Sequence, residues 1–199
     1  AGARVALAKG AFGIAQDGLD AVTVPTNTPE TMQLAGFLAL RRSIVAAADR
    51  RGGDVEAPLE YAAELAARIG EGNAYGLGNA YGLGFGPNLV GQFRMEAALE
   101  VGDHERAVMI AEGLSPPQYS NQSGRAHHWL DYGQALARLR GRHADAVLAL
   151  RRAELISPHR IQRNPIIRDV LAVLLRHSRR GSTADQELRG MARRAGLPV

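Results

Sequence analysis

The chain has 199 residues, 46% hydrophobic and 22% charged, with no cysteine and a formal net charge of +4. That balance reads as a globular chain rather than a disordered one, and it excludes disulfides, thiolate metal sites and cysteine nucleophiles. The apolar share is mostly Ala and Leu, the strongest helix formers, and aromatic residues make up only 5%, so the expected fold class is all-α. No signal peptide is recognisable and no apolar run approaches the ~18 residues of a membrane span, so a cytoplasmic location is expected.

The elements follow in helical pairs. Val5, Ala8, Phe12, Ala15 and Leu19 recur at spacings of three and four and predict a helix over 3–18. No cap signal precedes it, so the chain is expected to continue a longer one. Pro25 and the Asn/Thr cluster make Val22–Thr28 a loop. Thr28-Pro29 then starts a second helix, with Thr at the N-cap and Pro at the first helical position, running to about Arg51. Gly52-Gly53 is expected to end it, and Asp54 to cap a third helix to about Ile69. Residues 70–87 hold seven glycines and repeat Gly-Asn-Ala-Tyr-Gly-Leu at 72–77 and 78–83. Glycine at that density predicts a loop. Further helices are expected over 88–101, 103–114, about 121–140, 142–156, 164–178 and 183–195, with no sheet.

Three corners share glycine, four residues, then alanine: Gly52/Ala57, Gly102/Ala107 and Gly141/Ala146. The glycine permits a turn between antiparallel helices, and the alanine lets the two helices approach. Around Gly141 the match to the tetratricopeptide repeat is fuller. Leu130, Ala137, Ala146, Leu150 and Ala153 fall on packing positions, and Pro158 falls where the repeat usually ends. Gly133-Gln134 departs from the usual mid-helix Leu-Gly. Corner spacings of 50 and 39 residues indicate degenerate repeats with insertions. The expected architecture is therefore a tetratricopeptide-like stack of antiparallel helix pairs in a right-handed superhelix. It would form a single domain over 1–199, with a basic helical cap from about 158.

Several strings carry a family resemblance: Phe85-Gly86-Pro87-Asn88, Val101-Gly102-Asp103 with Glu105-Arg106-Ala107, and Leu150-Arg151-Arg152-Ala153-Glu154. Arg163-Asn164-Pro165 with Arg168, Leu188-Arg189, and Gly196-Leu197-Pro198 extend it. On these residues the chain resembles the C-terminal tetratricopeptide-like region of actinobacterial Xre-type helix-turn-helix transcriptional regulators. The resemblance implies a regulatory domain that forms a homodimer and binds a peptide, protein or small-molecule effector. DNA would be met only through a further N-terminal domain. The family usually has one more residue within its FGPxN motif. The alternative reading is a stand-alone scaffold that gathers protein partners.

Catalytic patterns are not found. GNAYGLG fits the glycine spacing of short-chain dehydrogenases, but that mechanism needs a strand before the glycines, and EYAAELAARI reads as helix. The six histidines show no HExxH spacing, so no metal and no cofactor is expected, and packed or solvent-facing imidazoles are the default. Glu60/Glu64 and Glu96/Glu100 read as exposed helical faces, and no GxSxG elbow exists. A non-enzymatic binding function is expected. In a tetratricopeptide groove the first helix of each pair faces the ligand, which selects His128, Asp131, Ala135 and Arg138, then Gln92 and Glu96, then Arg42, Ala46 and Asp49. Asn73, Tyr75, Asn79 and Tyr81 of the glycine loop would contact the same ligand as a lid. Residues 138–199 carry 14 basic and 5 acidic side chains, so Arg176, Arg179, Arg180, Arg193 and Arg194 could also meet nucleic acid.

Overall fold

A computed structural model describes residues 10–70, 84–119, 121–178 and 181–199, and every regular element among them is helical, with no strand. They group into two compact units, one ending at Asp103 and the other beginning at His104. No helix among the described residues is long and apolar enough to cross a membrane.

The first unit contains α1 (Phe12–Asp20), α2 (Pro29–Ala48), α3 (Glu56–Ile69) and α4 (Pro87–Glu100). Of the helix expected over 3–18, residues 3–9 lie outside the described residues; Gly10 takes φ +71°, and α1 starts at Phe12 and continues through Gly18 to Asp20. α2 begins as its sequence indicates. The Thr28 hydroxyl accepts from the Thr31 N–H at 3.3 Å, the Thr28 N–H donates to Thr31 Oγ1 at 3.2 Å, and Pro29 takes the first turn. These bonds satisfy amides that the helix leaves without partners. Ala35, Leu40, Ile44, Val45 and Ala47 are buried on several sides of α2, which packs against α1, α3 and α4 and forms the unit's centre.

The corner after α2 differs from its expected form. Arg50, not a glycine, holds the left-handed position (φ +58°), and Gly52–Asp54 forms a single 3₁₀ turn. Asp54 therefore does not cap α3; its carboxylate pairs with Arg51 at 3.0 Å. Ala57 is exposed, and Leu59, Ala62 and Leu65 form the packing face instead. Before α4, Phe85 is fully buried against the bare backbone of Gly36, where an added Cβ would sit 2.0 Å from ring atom Cζ. Gly86 is extended, Pro87 opens α4 and Asn88 is buried. Phe85-Gly86-Pro87-Asn88 thus works as a plug followed by a helix start. Nearby, the Arg41 guanidinium lies 4.9 Å from both the Phe37 and Phe93 ring centres, joining α2 to α4 by cation–π contact.

The second unit contains α5 (His104–Glu112), α6 (Gln122–Leu136), α7 (His143–Ile156), α8 (Pro158–Gln162), α9 (Pro165–His177) and α10 (Thr183–Arg194). α8 and a 3₁₀ turn at Pro116–Gln118 fall where loops were expected. Asn121, Asn164 and Ser182 cap α6, α9 and α10 through their side chains. Gly141 takes φ +80° and Ala146 is fully buried where α6 packs on α7, in agreement with that corner; Gly102 also takes φ +82° and Ala107 is fully buried, but they fall in different units. Leu130, Ala137, Leu150 and Ala153 are also buried. A Cβ on Gly133 would lie 2.7 Å from Leu150 Cγ, so this glycine sets the closeness of α6 to α7.

α7 is the central helix here, touching α6, α8, α9 and α10. α10 is tied to it by charge as well as by Leu188 and Met191. Arg194 forks onto both oxygens of buried Glu154 at 2.8 and 2.7 Å, while Arg151 bonds Glu154 at 2.8 Å and Glu187 at 2.9 Å. Burial opposes charge on Glu154, but the bonds from Arg194 and Arg151 outweigh it and hold the carboxyl below its usual range.

Candidate functional site

α7, α9 and α10 enclose a cleft of about 520 Å3, within the size range of small-molecule sites. Val147, Leu174 and Leu188, all nearly inaccessible, form its apolar base. His143, at the start of α7, and His177, at the end of α9, stand on its rim with Ser178, Ser182 and Asp185. The caps and corner create this arrangement. Gly141 turns the chain so that α7 starts at His143, and Ser182 starts α10 on the opposite wall.

Asp185 organises that wall rather than offering a free carboxylate. It accepts from the Ser178 hydroxyl at 2.8 Å, the Gly181 N–H at 3.2 Å and Arg189 Nε at 3.0 Å. The Arg189 and Ser178 bonds hold its carboxyl below the usual range. The two imidazoles are neighbours, with ring centres 5.2 Å apart and planes inclined at 50°.

The sequence-derived groove residues are placed differently. His128 and Asp131 on α6 are only 2% and 5% exposed, so they do not line an open groove, and Ala135 is fully buried. Tyr119 Oη lies 3.3 Å from His128 Nδ1, and Trp129 stands edge-on to the imidazole at 5.2 Å. Burial pushes the His128 pKa down to about 4, with the Asp131 carboxylate opposing the shift. His127 Nε2 is 3.0 Å from Asp131 Oδ2, an ion-pair distance without the alignment of a hydrogen bond. Arg138 is exposed just past α6. In the first unit, Gln92 is buried on α4, no described donor reaches its Oε1, and Glu96 is half-buried. Arg42 pairs with Asp20 at 3.0 Å, and Ala46 is buried. Asn73, Tyr75, Asn79 and Tyr81 lie outside the described residues. The helix α3 runs to Ile69 directly before the glycine segment, where a dinucleotide site would need a strand.

Part of the basic tail is engaged: Arg151, Arg189 and Arg194 each hold a carboxylate, and Arg160 bonds Ser123, while Arg179 and Arg180 lie outside the described residues. Arg176 and Arg193 are exposed. Sequence reasoning missed the cleft, because His143 and His177 are far apart in the chain and no local motif joins them. The glycine at 141 and the cap residue Ser182 were the only signals of where its walls begin.

Comparison of the chain with protein-family models, with curated proteins and with solved structures gave no match in any of the three.

Proposed function

We propose that this chain is a regulatory effector-binding module of the kind found in bacterial helix-turn-helix transcription regulators, built on tetratricopeptide-like helix pairs. The observation that carries the reading is the cleft between α7, α9 and α10, with its apolar base and polar rim. The packing of α6 on α7, with small or aliphatic residues at the repeat positions and Gly141 at the corner, supports the repeat. The effector is a short peptide end or a small amphipathic molecule. Its apolar part rests on Val147, Leu174 and Leu188, and its polar part meets the imidazole and hydroxyl rim. Binding would bias the arrangement of attached DNA-binding domains by its differential affinity for two states.

The test is a thermal-shift screen of short peptides and small metabolites, repeated on Ala184→Trp, which fills the cleft. An effector that raises the melting temperature of the native chain and leaves Ala184→Trp unmoved supports the reading. Ligands that stabilise both equally, or a broad screen with no stabiliser, overturn it.

A second reading, a scaffold for protein partners, is favoured by the outer face of α7. Leu148 and Leu155 are 52% and 66% exposed there, and Arg152 lies 4.5 Å over the Trp129 ring between them. Leu148→Glu with Leu155→Glu would abolish partner capture under that reading and leave effector binding in the cleft intact.

A further inference from the structure

The two histidines at the rim of the cleft have a relation that an organic effector does not require. We propose that His143 and His177 form a two-imidazole seat for a divalent transition-metal ion of the zinc, nickel or copper type.

The His177 ring fixes its own tautomer. Its Nδ1 lies 2.9 Å from the Val173 carbonyl oxygen, and a carbonyl only accepts, so Nδ1 carries the proton. In the neutral ring Nε2 therefore keeps its lone pair. Ligating histidines commonly hold this state, with the outer N–H donated to a backbone carbonyl and the other nitrogen turned to the ion.

The separation of the rings fits as well. Two imidazoles bound to one tetrahedral ion, with metal–nitrogen distances of about 2.1 Å, have ring centres roughly 5 Å apart. The observed separation is 5.2 Å, across two helices and not along one. Helix ends act in opposite senses here: the carbonyl end of α9 at His177 favours a cation, and the amide end of α7 at His143 disfavours it. The net field leaves the choice to the nitrogen donors.

Those donors select the ion. Imidazole suits zinc, nickel and copper, whereas magnesium and calcium require oxygen ligands. Asp185 cannot supply them, because Ser178, Gly181 and Arg189 occupy both of its oxygens. Among the described residues no third His, Asp or Glu completes a ligand set. The remaining positions are thus left to water or to a donor atom of a molecule in the cleft. A two-ligand seat binds more weakly than a structural zinc site.

The seat stands on ring geometry and is independent of the organic-effector reading. The experiment uses the full chain freed of any histidine tag, titrated calorimetrically with zinc, nickel and magnesium chlorides. The expected result is one zinc or nickel ion per chain and no response to magnesium. The melting temperature should rise by roughly 5–10 °C at about a hundred-fold excess over the dissociation constant. His143→Gln and His177→Gln should each abolish binding, and the exposed-site variant His159→Gln should retain it. Electron paramagnetic resonance of the copper-loaded native chain should show two coordinating nitrogens, a readout that needs no variant to fold. Absence of zinc, nickel and copper binding overturns the proposal, as does binding that persists in the folded double variant. Effector binding, screened with a chelator present, is scored separately, so either idea can fail alone.

Discussion

Gly36→Ala is the most direct probe of how the first unit is closed. Elsewhere on a helix this change would stabilise by about 1 kcal/mol, because alanine is the better helix former. Here the new methyl would lie 2.0, 2.5 and 2.7 Å from three atoms of the Phe85 ring, which is fully buried. The ring must shift or leave. Overpacking typically costs about 1–3 kcal/mol, and complete loss of a buried Phe side chain costs about 3–5 kcal/mol. Subtracting the helix gain leaves a net loss of roughly 2 kcal/mol, or a fall in melting temperature of about 4–8 °C for a chain of this size. Urea denaturation of the two single variants Gly36→Ala and Phe85→Ala, and of the double variant, provides the check. Once Phe85 is an alanine, Gly36→Ala should become stabilising, so the two changes are strongly non-additive. If Gly36→Ala stabilises the native chain, or costs the same with and without the ring, the plug is not formed as described.

Acid should weaken the second unit before its carboxylates titrate. The folded pKa of His128, about 4, lies below its unfolded value, so the unfolded chain takes up a proton that the native chain refuses. Stability therefore falls as pH drops from about 6.5 toward 4, by roughly 2 kcal/mol between pH 7 and 5. Chemical denaturation across that range should show the slope, and His128→Gln should flatten it. Glu154→Gln, which leaves Arg151 and Arg194 without their shared charge, should cost roughly 1–3 kcal/mol in urea unfolding; a neutral result would remove the clamp from the account of α10. At the corners, Arg50→Gly should raise stability by up to about 1 kcal/mol and Gly141→Ala should lower it by a similar amount, since both positions are left-handed; calorimetric melting of each decides.

The start of α2 was legible in the sequence, while the Asp54 cap expected for α3 was not formed. Thr28-Pro29 marks α2 through local chemistry, a side-chain acceptor followed by a residue with no N–H to satisfy, and the structure shows the same device at Asn164-Pro165 before α9. The Gly141 corner was equally readable, because left-handed φ selects glycine and close helix contact selects a small residue at Ala146. The same logic failed at Gly52, where the chain had already turned at Arg50 and spent its two glycines in a 3₁₀ turn. Polarity was a poor guide to exposure. His128, Asp131 and Gln92 were assigned to an open groove by their offsets from a turn, yet tertiary packing buries all three. Offsets report a direction around a helix; they do not report what stands in that direction. The rim of the cleft joins side chains from three helices distant in sequence, and no periodicity within one helix reveals such a meeting.

The fork from Arg194 to Glu154 has a practical bearing on any ligand work. One wall of the cleft is moored by ion pairs whose arginines reach solvent, Arg194 being 42% exposed. Concentrated electrolyte would loosen that mooring while sparing the aliphatic floor. Affinities measured in strong brine would then report a partly unlatched receptor, and trimming the final turn of α10 would mimic the same state in plain buffer.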